Sequence, residues 1–351
     1  MKTVRVDASK SYEVFIGSGL LHRLGELTAR VLKAQTVAIV TESNVAPLYL
    51  DAARQSLAEA GFARVVSFVF PAGEASKNGG TYLSLLSFLA EHHLTRSDCI
   101  VALGGGVVGD LAGFAAATYL RSIPFVQVPT TLLAAVDSSV GGKTAIDLPE
   151  GKNLAGCFYQ PSLVVCDTDL LSTLPAQTFR DGCAEIIKYG ILFDPRLFAH
   201  LQEYGLRFHR EDVIARSVEL KRDVVREDEF DHGQRQLLNL GHTVGHGVEA
   251  HSHFTVSHGS AVAIGMAIVS RASEKYGICA PDTRAAILSL LEQFHLPVQT
   301  QFSPAALYEA ALSDKKRSGG TVNLIVPRAI GSCQIRPTPV EELEAFIAAG
   351  L

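Results

Sequence analysis

The first half of the chain alternates short apolar runs with stretches of helical period. Residues 36–41 (TVAIVT), 65–70, 99–103 and 124–128 are apolar almost throughout, and helical stretches separate them, the first of which Gly61 is placed to close. Strands that are apolar on both faces and alternate with helices predict a parallel sheet covered on both sides. Residues 4–6 and 12–16 predict a hairpin ahead of that sheet. A loop, PAGEASKNGG, precedes a helix to about His93, and GGGVVGD opens another to about Leu120. Past Thr173-Leu174-Pro175 the pattern is almost wholly helical, with segments near 178–190, 211–229, 234–249, 259–276 and 283–294. A last strand pair, 322–326 and 332–335, precedes a terminal helix. The expected architecture is an α/β domain over 1–175 and a mainly α-helical domain over 176–351.

Composition narrows the class. The 351 residues are 47% hydrophobic and 19% charged, a balance that buries a core and excludes disorder. With 31 Lys+Arg against 36 Asp+Glu and no Trp, no nucleic-acid partner is expected. The six cysteines form no CxxC pair and mostly sit beside apolar residues, as free thiols in a reducing, cytoplasmic setting would. The start, MKTVRVDASK, lacks the apolar stretch of a signal peptide. The most apolar later run, 261–269, falls far short of the roughly 20 residues a membrane span needs, so no membrane partner is expected.

Three groups of residues carry candidate chemistry. Gly104 to Gly109 reads G-x-G-x-x-G between a strand and a helix, where glycines admit a pyrophosphate to the N–H groups of a helix N-terminus. The motif is not on the first strand and lacks the usual downstream acid, so a plain strand-to-helix turn is the competing reading. Asp110, just after it, either caps the helix or binds a ribose or amide.

On 234–249 the residues Arg235, Asn239, His242, His246 and Glu249 recur at helical spacing, which puts them on one face, and Asp181, Glu185 and Lys188 repeat the pattern on 178–190. Gly241, Gly245 and Gly247 border the first stripe and imply close approach by another group, because glycine weakens a helix. Spacing alone pairs His242 with His246 on one metal, with His258 just beyond in TVSHGSAV and Glu185 as the best-placed carboxylate; surface or core histidines are the other reading. A donor set of nitrogen and oxygen suits a catalytic zinc with an open position. Arg121, Lys143, Lys152, Lys188, Lys221, Arg235 and Lys315-Lys316 lie mostly in Gly-rich or apolar surroundings. Each alone reads as a surface charge; together they suggest a pocket for a phosphorylated or carboxylated small molecule.

The segments GGGVVGDLAGFAAATYLR (104–121), QVPTTLLAAVDSSVGGKTAID (127–147), GKNLAGCFYQP (151–161), AEIIKYG (184–190), NLGHTVGH (239–246) and SHG (257–259) strongly resemble the 3-dehydroquinate synthases, essentially end to end. The resemblance implies a Rossmann-like NAD-binding domain followed by a helical metal-binding domain, in a homodimer. It implies conversion of a phosphorylated keto-acid sugar, 3-deoxy-D-arabino-heptulosonate 7-phosphate, to 3-dehydroquinate and phosphate, the second step of the shikimate pathway. A transient oxidation by NAD would acidify the neighbouring C–H and permit loss of phosphate before the hydride returns and the carbocycle closes.

By position, the resemblance implies Glu185, His242 and His258 as ligands of Zn²⁺ or Co²⁺, which moves His246 to the substrate side. It implies NAD contacts at Glu42, Asn44, Gly73, Glu74, Lys77, Gly105, Gly106, Val107, Val108, Gly109, Asp110, Thr130, Thr131, Lys143, Lys152, Leu170, Leu171, Ser172 and Thr173. The substrate would face Arg121, Asp137, Lys143, Lys152, Asn153, Lys188, Lys221, Arg235, Asn239, His246 and a lysine of Asp314-Lys315-Lys316, Lys316 or its neighbour. Two departures, PAG before Glu74 and Glu42 where a shorter acid is common, touch only the adenosine half of NAD. Competing readings are a metal-dependent polyol dehydrogenase, which needs no anion pocket, a sister sugar-phosphate cyclase, and a lapsed NAD-binding scaffold.

Overall fold

In the computed structural model, which describes residues 1–253, 255–312, 317–318 and 320–351, the apolar runs become the interior of a seven-stranded sheet. Lys315 and Lys316 lie outside the described residues. The strands are β1 (Lys2–Val6), β2 (Tyr12–Gly17), β3 (Thr36–Glu42), β4 (Arg64–Phe70), β5 (Cys99–Gly104) and β6 (Phe125–Pro129). A separate hairpin, β7 (Lys143–Leu148) and β8 (Gly151–Phe158), precedes the last sheet strand, β9 (Leu163–Asp167). The order is β1-β2-β9-β6-β5-β3-β4, antiparallel only between β1 and β2.

Alternation along each strand covers both faces. Val37, Ile39, Val101 and Leu103 pack with Leu24 and Leu27 of α1 (Leu24–Val31) and Leu57 of α2 (Ala46–Glu59). Ala38, Val40, Ile100 and Ala102 pack with Leu85 and Leu89 of α3 (Gly79–Glu91) and with Leu111 and Ala115 of α4 (Gly106–Thr118). The chain lays β4 beside β3, then returns to place β5, β6 and β9 on the other side of β3. Strand direction of travel reverses between β3 and β5, and ligands of such sheets bind beyond the carboxyl ends at that point. The apolar pattern does not predict the hairpin, because β8 (GKNLAGCF) is short of apolar residues, and it overlooks the five-residue β9.

The chain divides into two compact units, one of Met1–Leu174 with Arg210–Phe230 and one of Pro175–His209 with Asp231–Leu351. The second unit holds α5 (Ala176–Leu192) and α6 (Pro195–Tyr204); α7 (Arg210–Glu227) belongs to the first. A single cut near 175 puts α7 in the second domain, whereas it packs on β1, β2 and the π-helical turn Ala134–Ser138 of the first unit. The second unit continues with α8 (His242–His251), α9 (His258–Lys275), α10 (Pro281–Gln293) and α11 (Pro304–Leu312). A three-stranded sheet, β10 (Arg317–Ser318), β11 (Thr321–Ala329) and β12 (Ser332–Pro339), leads into α12 (Val340–Gly350). Largely buried α9, which contains the apolar run 261–269, is the hub against which α5, α8, α10 and α12 pack. No helix among the described residues is long and apolar enough to cross a membrane.

The expected continuous helix over 234–249 is broken. Residues Gln234–Asn239 form a 3₁₀ turn, Leu240 is extended, and Gly241 takes φ +79° before α8 begins. The five-residue stripe therefore does not lie on one helix face. The cause is α9: a Cβ on Gly241 would stand 2.6 Å from the Val262 carbonyl oxygen, and one on Gly245 would stand 2.9 Å from that of Ala261. The close approach that Gly241 and Gly245 foretell is that of a neighbouring helix.

Candidate active-site residues in each unit

The glycine turn joins β5 to α4 with Gly105 as the N-cap and no capping side chain, so orphan N–H groups remain for a ligand or water. A Cβ on Gly109 would stand 2.8 Å from Gln127 Oε1, and one on Gly104 would collide with Val108, so these two glycines serve strand–helix packing. Gly105 and Gly106 instead front hydroxyl side chains, Thr131 (Cγ2 at 3.0 Å) and Ser138 (Oγ at 3.3 Å). Val108 is fully buried, which leaves only its backbone for a ligand.

Asp110 does not cap α4; it sits in the second turn, and its Oδ2 lies 3.3 Å from Lys77 Nζ. Lys77 is only 4% exposed and gathers Glu74 (2.9 Å), Asp147 (3.8 Å) and the Asn153 side-chain oxygen (2.8 Å). Lys152 Nζ stands 3.9 Å from Glu74. Burial works against the Lys77 charge, yet Asp110 and Glu74 raise its pKa above the ordinary lysine value. Burial pushes the Asp110 carboxyl up to about 6, only partly offset by Lys77. Burial also raises Asp147, whereas Lys77 and Lys152 overcome it at Glu74 and hold that carboxyl below its usual range.

The remaining predicted residues of this unit lie on several different elements. Glu42, at the end of β3, accepts from the N–H groups of Asn44 (2.7 Å) and Val45 (3.1 Å) and so shapes the turn into α2. Gly73 takes φ +105° before the turn that carries Glu74. Thr130 N–H donates to the Gly104 carbonyl (3.0 Å), and Thr131 Oγ1 accepts from Ala134 N–H (3.1 Å). Leu170, Leu171, Ser172 and Thr173 lie in one 3₁₀ turn, tied to α2 where Tyr49 OH donates to the Leu170 carbonyl (3.1 Å). Lys221 of α7, nearly buried, donates to both the carboxylate and the carbonyl of Asp137 (2.6 Å each). Exposed Arg121 and its neighbours Leu120 and Ser122 all have left-handed φ, of 65°, 51° and 104°, a strained run. Lys143, exposed, opens β7.

In the second unit one constellation stands out. Glu185 on α5, His242 at the start of α8 and His258 at the start of α9 bring three ligand atoms within 4.8 Å of one another. Both imidazole Nε2 atoms lie 3.6 Å from Glu185 Oε1. His242 Nδ1 is 3.2 Å from the Leu240 carbonyl and His258 Nδ1 is 3.4 Å from Glu249 Oε2, an outer layer that orients both rings. Lys188, one turn along α5 and 1% exposed, pairs with the other oxygen of the fully buried Glu185. Burial opposes the His258 charge, but Glu185 and Glu249 push its pKa up to about 10. One carboxylate and two imidazoles without sulfur suit a borderline divalent cation.

His246, the partner that spacing alone chooses, is not in this cluster; its ring sits edge-on to His242 at 5.6 Å. Arg235, 1% exposed, and Asn239 lie in the 3₁₀ turn before α8. Sequence reasoning missed Asp147 and gave no role to Glu249 or Asp181. A lone acid near a strand end carries no signal for the first. Asp181 accepts from Ser257 Oγ (2.6 Å) and so ties the start of α9 to α5.

The 3-dehydroquinate synthase N-terminal family model matches residues 67–181, and the C-terminal model matches residues 182–317. The chain is 44% identical over 343 residues to the 3-dehydroquinate synthase of Streptococcus sanguinis, covering 96% of each. It is 44% identical over 353 residues to that of Enterococcus faecalis, covering 99% of this chain and 98% of the relative. Among solved structures, the 2-epi-5-epi-valiolone synthase of Streptomyces hygroscopicus, with NAD⁺ and Zn²⁺ bound, superposes with a TM-score of 0.87 at 29% identity over 99% of both chains. A 2-deoxy-scyllo-inosose synthase complexed with carbaglucose-6-phosphate, NAD⁺ and Co²⁺ shares the fold, with a TM-score of 0.90 at 24% identity over 100% of both chains.

Proposed function

Because the chain belongs to the 3-dehydroquinate synthase family, we propose that it converts 3-deoxy-D-arabino-heptulosonate 7-phosphate to 3-dehydroquinate and phosphate with NAD and a divalent metal. The observation that carries this reading is the family match through both halves of the chain, joined to the Glu185, His242 and His258 cluster.

On this reading Glu185, His242 and His258 hold zinc or cobalt, and the glycine turn with Lys77 and Asp110 holds NAD. When bound, these groups supply a reversible hydride acceptor and a Lewis acid for the hydroxyl being oxidised. Lys152, Lys188, Arg235, Lys143, Lys221 and Arg121 anchor the substrate's carboxylate and phosphate, since cationic donors bind such oxyanions best. Asn153 and Asn239 orient its hydroxyls, Asp137 fixes Lys221, and His246 moves a proton near the reacting carbons. The Lys221–Asp137 bond supports that pairing, because it presents a nearly buried ammonium in one fixed place. The family resemblance alone supports a homodimer working in the cytoplasm at the second step of the shikimate pathway.

The test is turnover with NAD⁺ substoichiometric to the heptulosonate phosphate in the presence of Zn²⁺. Phosphate release should be sustained with no steady rise in NADH absorbance. NADH accumulating in proportion to substrate consumed, with no phosphate liberated, would sink the assignment.

A further inference from the structure

Hairpin β7–β8 carries Lys152 and Asn153, yet it is not part of the seven-stranded sheet. Something else must hold its tip. The register passes from Ile146↔Ala155 to Leu148↔Gly151, a bulge that takes Asp147 out of the ladder. The freed Asp147 N–H donates to the Lys77 carbonyl (2.7 Å), and Asn78 bridges Asp147 in parallel. Its carboxylate accepts the Asn153 N–H (2.8 Å) and stands 3.8 Å from Lys77 Nζ. Lys77 in turn donates to the Asn153 side-chain oxygen (2.8 Å).

Asn153 is thus gripped at its backbone by Asp147 and at its side chain by Lys77. The grip matters because Asn153 has φ +56°, a left-handed conformation that is uncommon outside glycine, although asparagine enters it more readily than other residues. We propose that Asp147 is a positioning residue: it holds Asn153 left-handed against the Lys77 turn and thereby sets where Lys152 and Asn153 meet the substrate. This rests on the substrate reading of Lys152 and Asn153 given above. One consequence is that a substrate-side pair is fixed by the same lysine that faces Asp110 beside the glycine turn.

The experiment compares Asp147→Ala with Asp147→Asn in the NAD-loaded, zinc-loaded enzyme. Asp147→Ala should raise the KM for the heptulosonate phosphate by about tenfold, as loss of a hydrogen bond to a charged acceptor does. NAD affinity should fall by no more than about threefold, because Asp147 reaches the nucleotide residues only through Lys77, which Glu74 and Asp110 still hold. Deuterium uptake of the 149–155 segment, measured without substrate, should quicken by about tenfold as the tether is lost. Asp147→Asn keeps an oxygen for the Asn153 N–H and should recover most of both effects. An Asn variant that behaves like Ala, or NAD affinity that falls as far as KM rises, overturns the proposal in favour of a charge effect on Lys77. Wild-type-like uptake in Asp147→Ala overturns it whatever the wild type turns over. Failure of the wild type to release phosphate, with quickened uptake in Asp147→Ala, sinks the functional reading and leaves the tether standing. Should Asp147→Ala not fold, Asp147→Ser, too short to span to Asn153, takes its place with the same outcomes.

Discussion

The two units carry buried charge in opposite senses. In the first, an ammonium, Lys77, is ringed by Glu74, Asp110 and Asp147. In the second, a carboxylate, Glu185, is ringed by Lys188, His242 and His258. Both obey the rule that a buried charge needs partners. They differ in what the partners can do. Carboxylates around a lysine form a fixed lattice that positions neighbours, and burial there raises the Asp110 pKa. Imidazoles can give up a proton and take a cation through the same lone pair. The first arrangement suits a rigid platform for backbone N–H donors, and the second suits an exchangeable ion.

The largest effect should come from breaking the second ring. Glu185→Ala leaves Lys188 buried without its carboxylate, so denaturant unfolding of the metal-free protein should show a loss of about 3–5 kcal/mol. Zinc should no longer survive dialysis. His258→Ala should also lose zinc and activity, while His246→Ala keeps the ion with reduced activity; the reverse pattern by metal analysis would restore the pairing that spacing alone suggests.

Next comes the platform. In Gly106→Val the new Cβ would stand about 3.3 Å from Ser138 Oγ and its branches would fill the approach to the α4 N-terminus. NAD affinity by calorimetry should drop by about tenfold or more, a loss above 1.4 kcal/mol, with the circular dichroism spectrum retained. Unchanged affinity would make the turn a plain connection.

The smallest effect sharpens the charge comparison. The Asp110 carboxyl, ordinarily near 3.8, is held near 6 in the folded chain, so between those values the folded state keeps a proton the unfolded state has lost. Its stability contribution therefore declines as pH rises through that window. Asp110→Asn has no proton to lose, so relative to wild type it should gain on the order of 2 kcal/mol between pH 4 and pH 7, read from urea midpoints. A flat difference would mean that attraction to Lys77 cancels burial, and one that falls as pH rises that it outweighs burial.

Much of the architecture was legible from periodicity alone. Continuous apolar strands such as 99–103 can only be buried on both faces, and a sheet between helix layers follows from that. The glycine turn was legible too, since its residue types and place between strand and helix are local properties. Family motifs added which chemistry belonged with them. Tertiary structure alone decided the rest. Glu185, His242 and His258 converge because α5, α8 and α9 pack together, and no helical spacing along the chain encodes a separation of 73 positions between Glu185 and His258. Spacing chose His246 because it sees only neighbours along α8, whereas the cluster is completed by His258 from the start of α9 and Glu185 from α5. The return of α7 to the first unit and the grip of Asp147 on Asn153 are likewise packing outcomes. Local sequence sets what each segment can form; which surfaces of those segments meet depends on burying apolar area across the whole chain, a property no single segment contains.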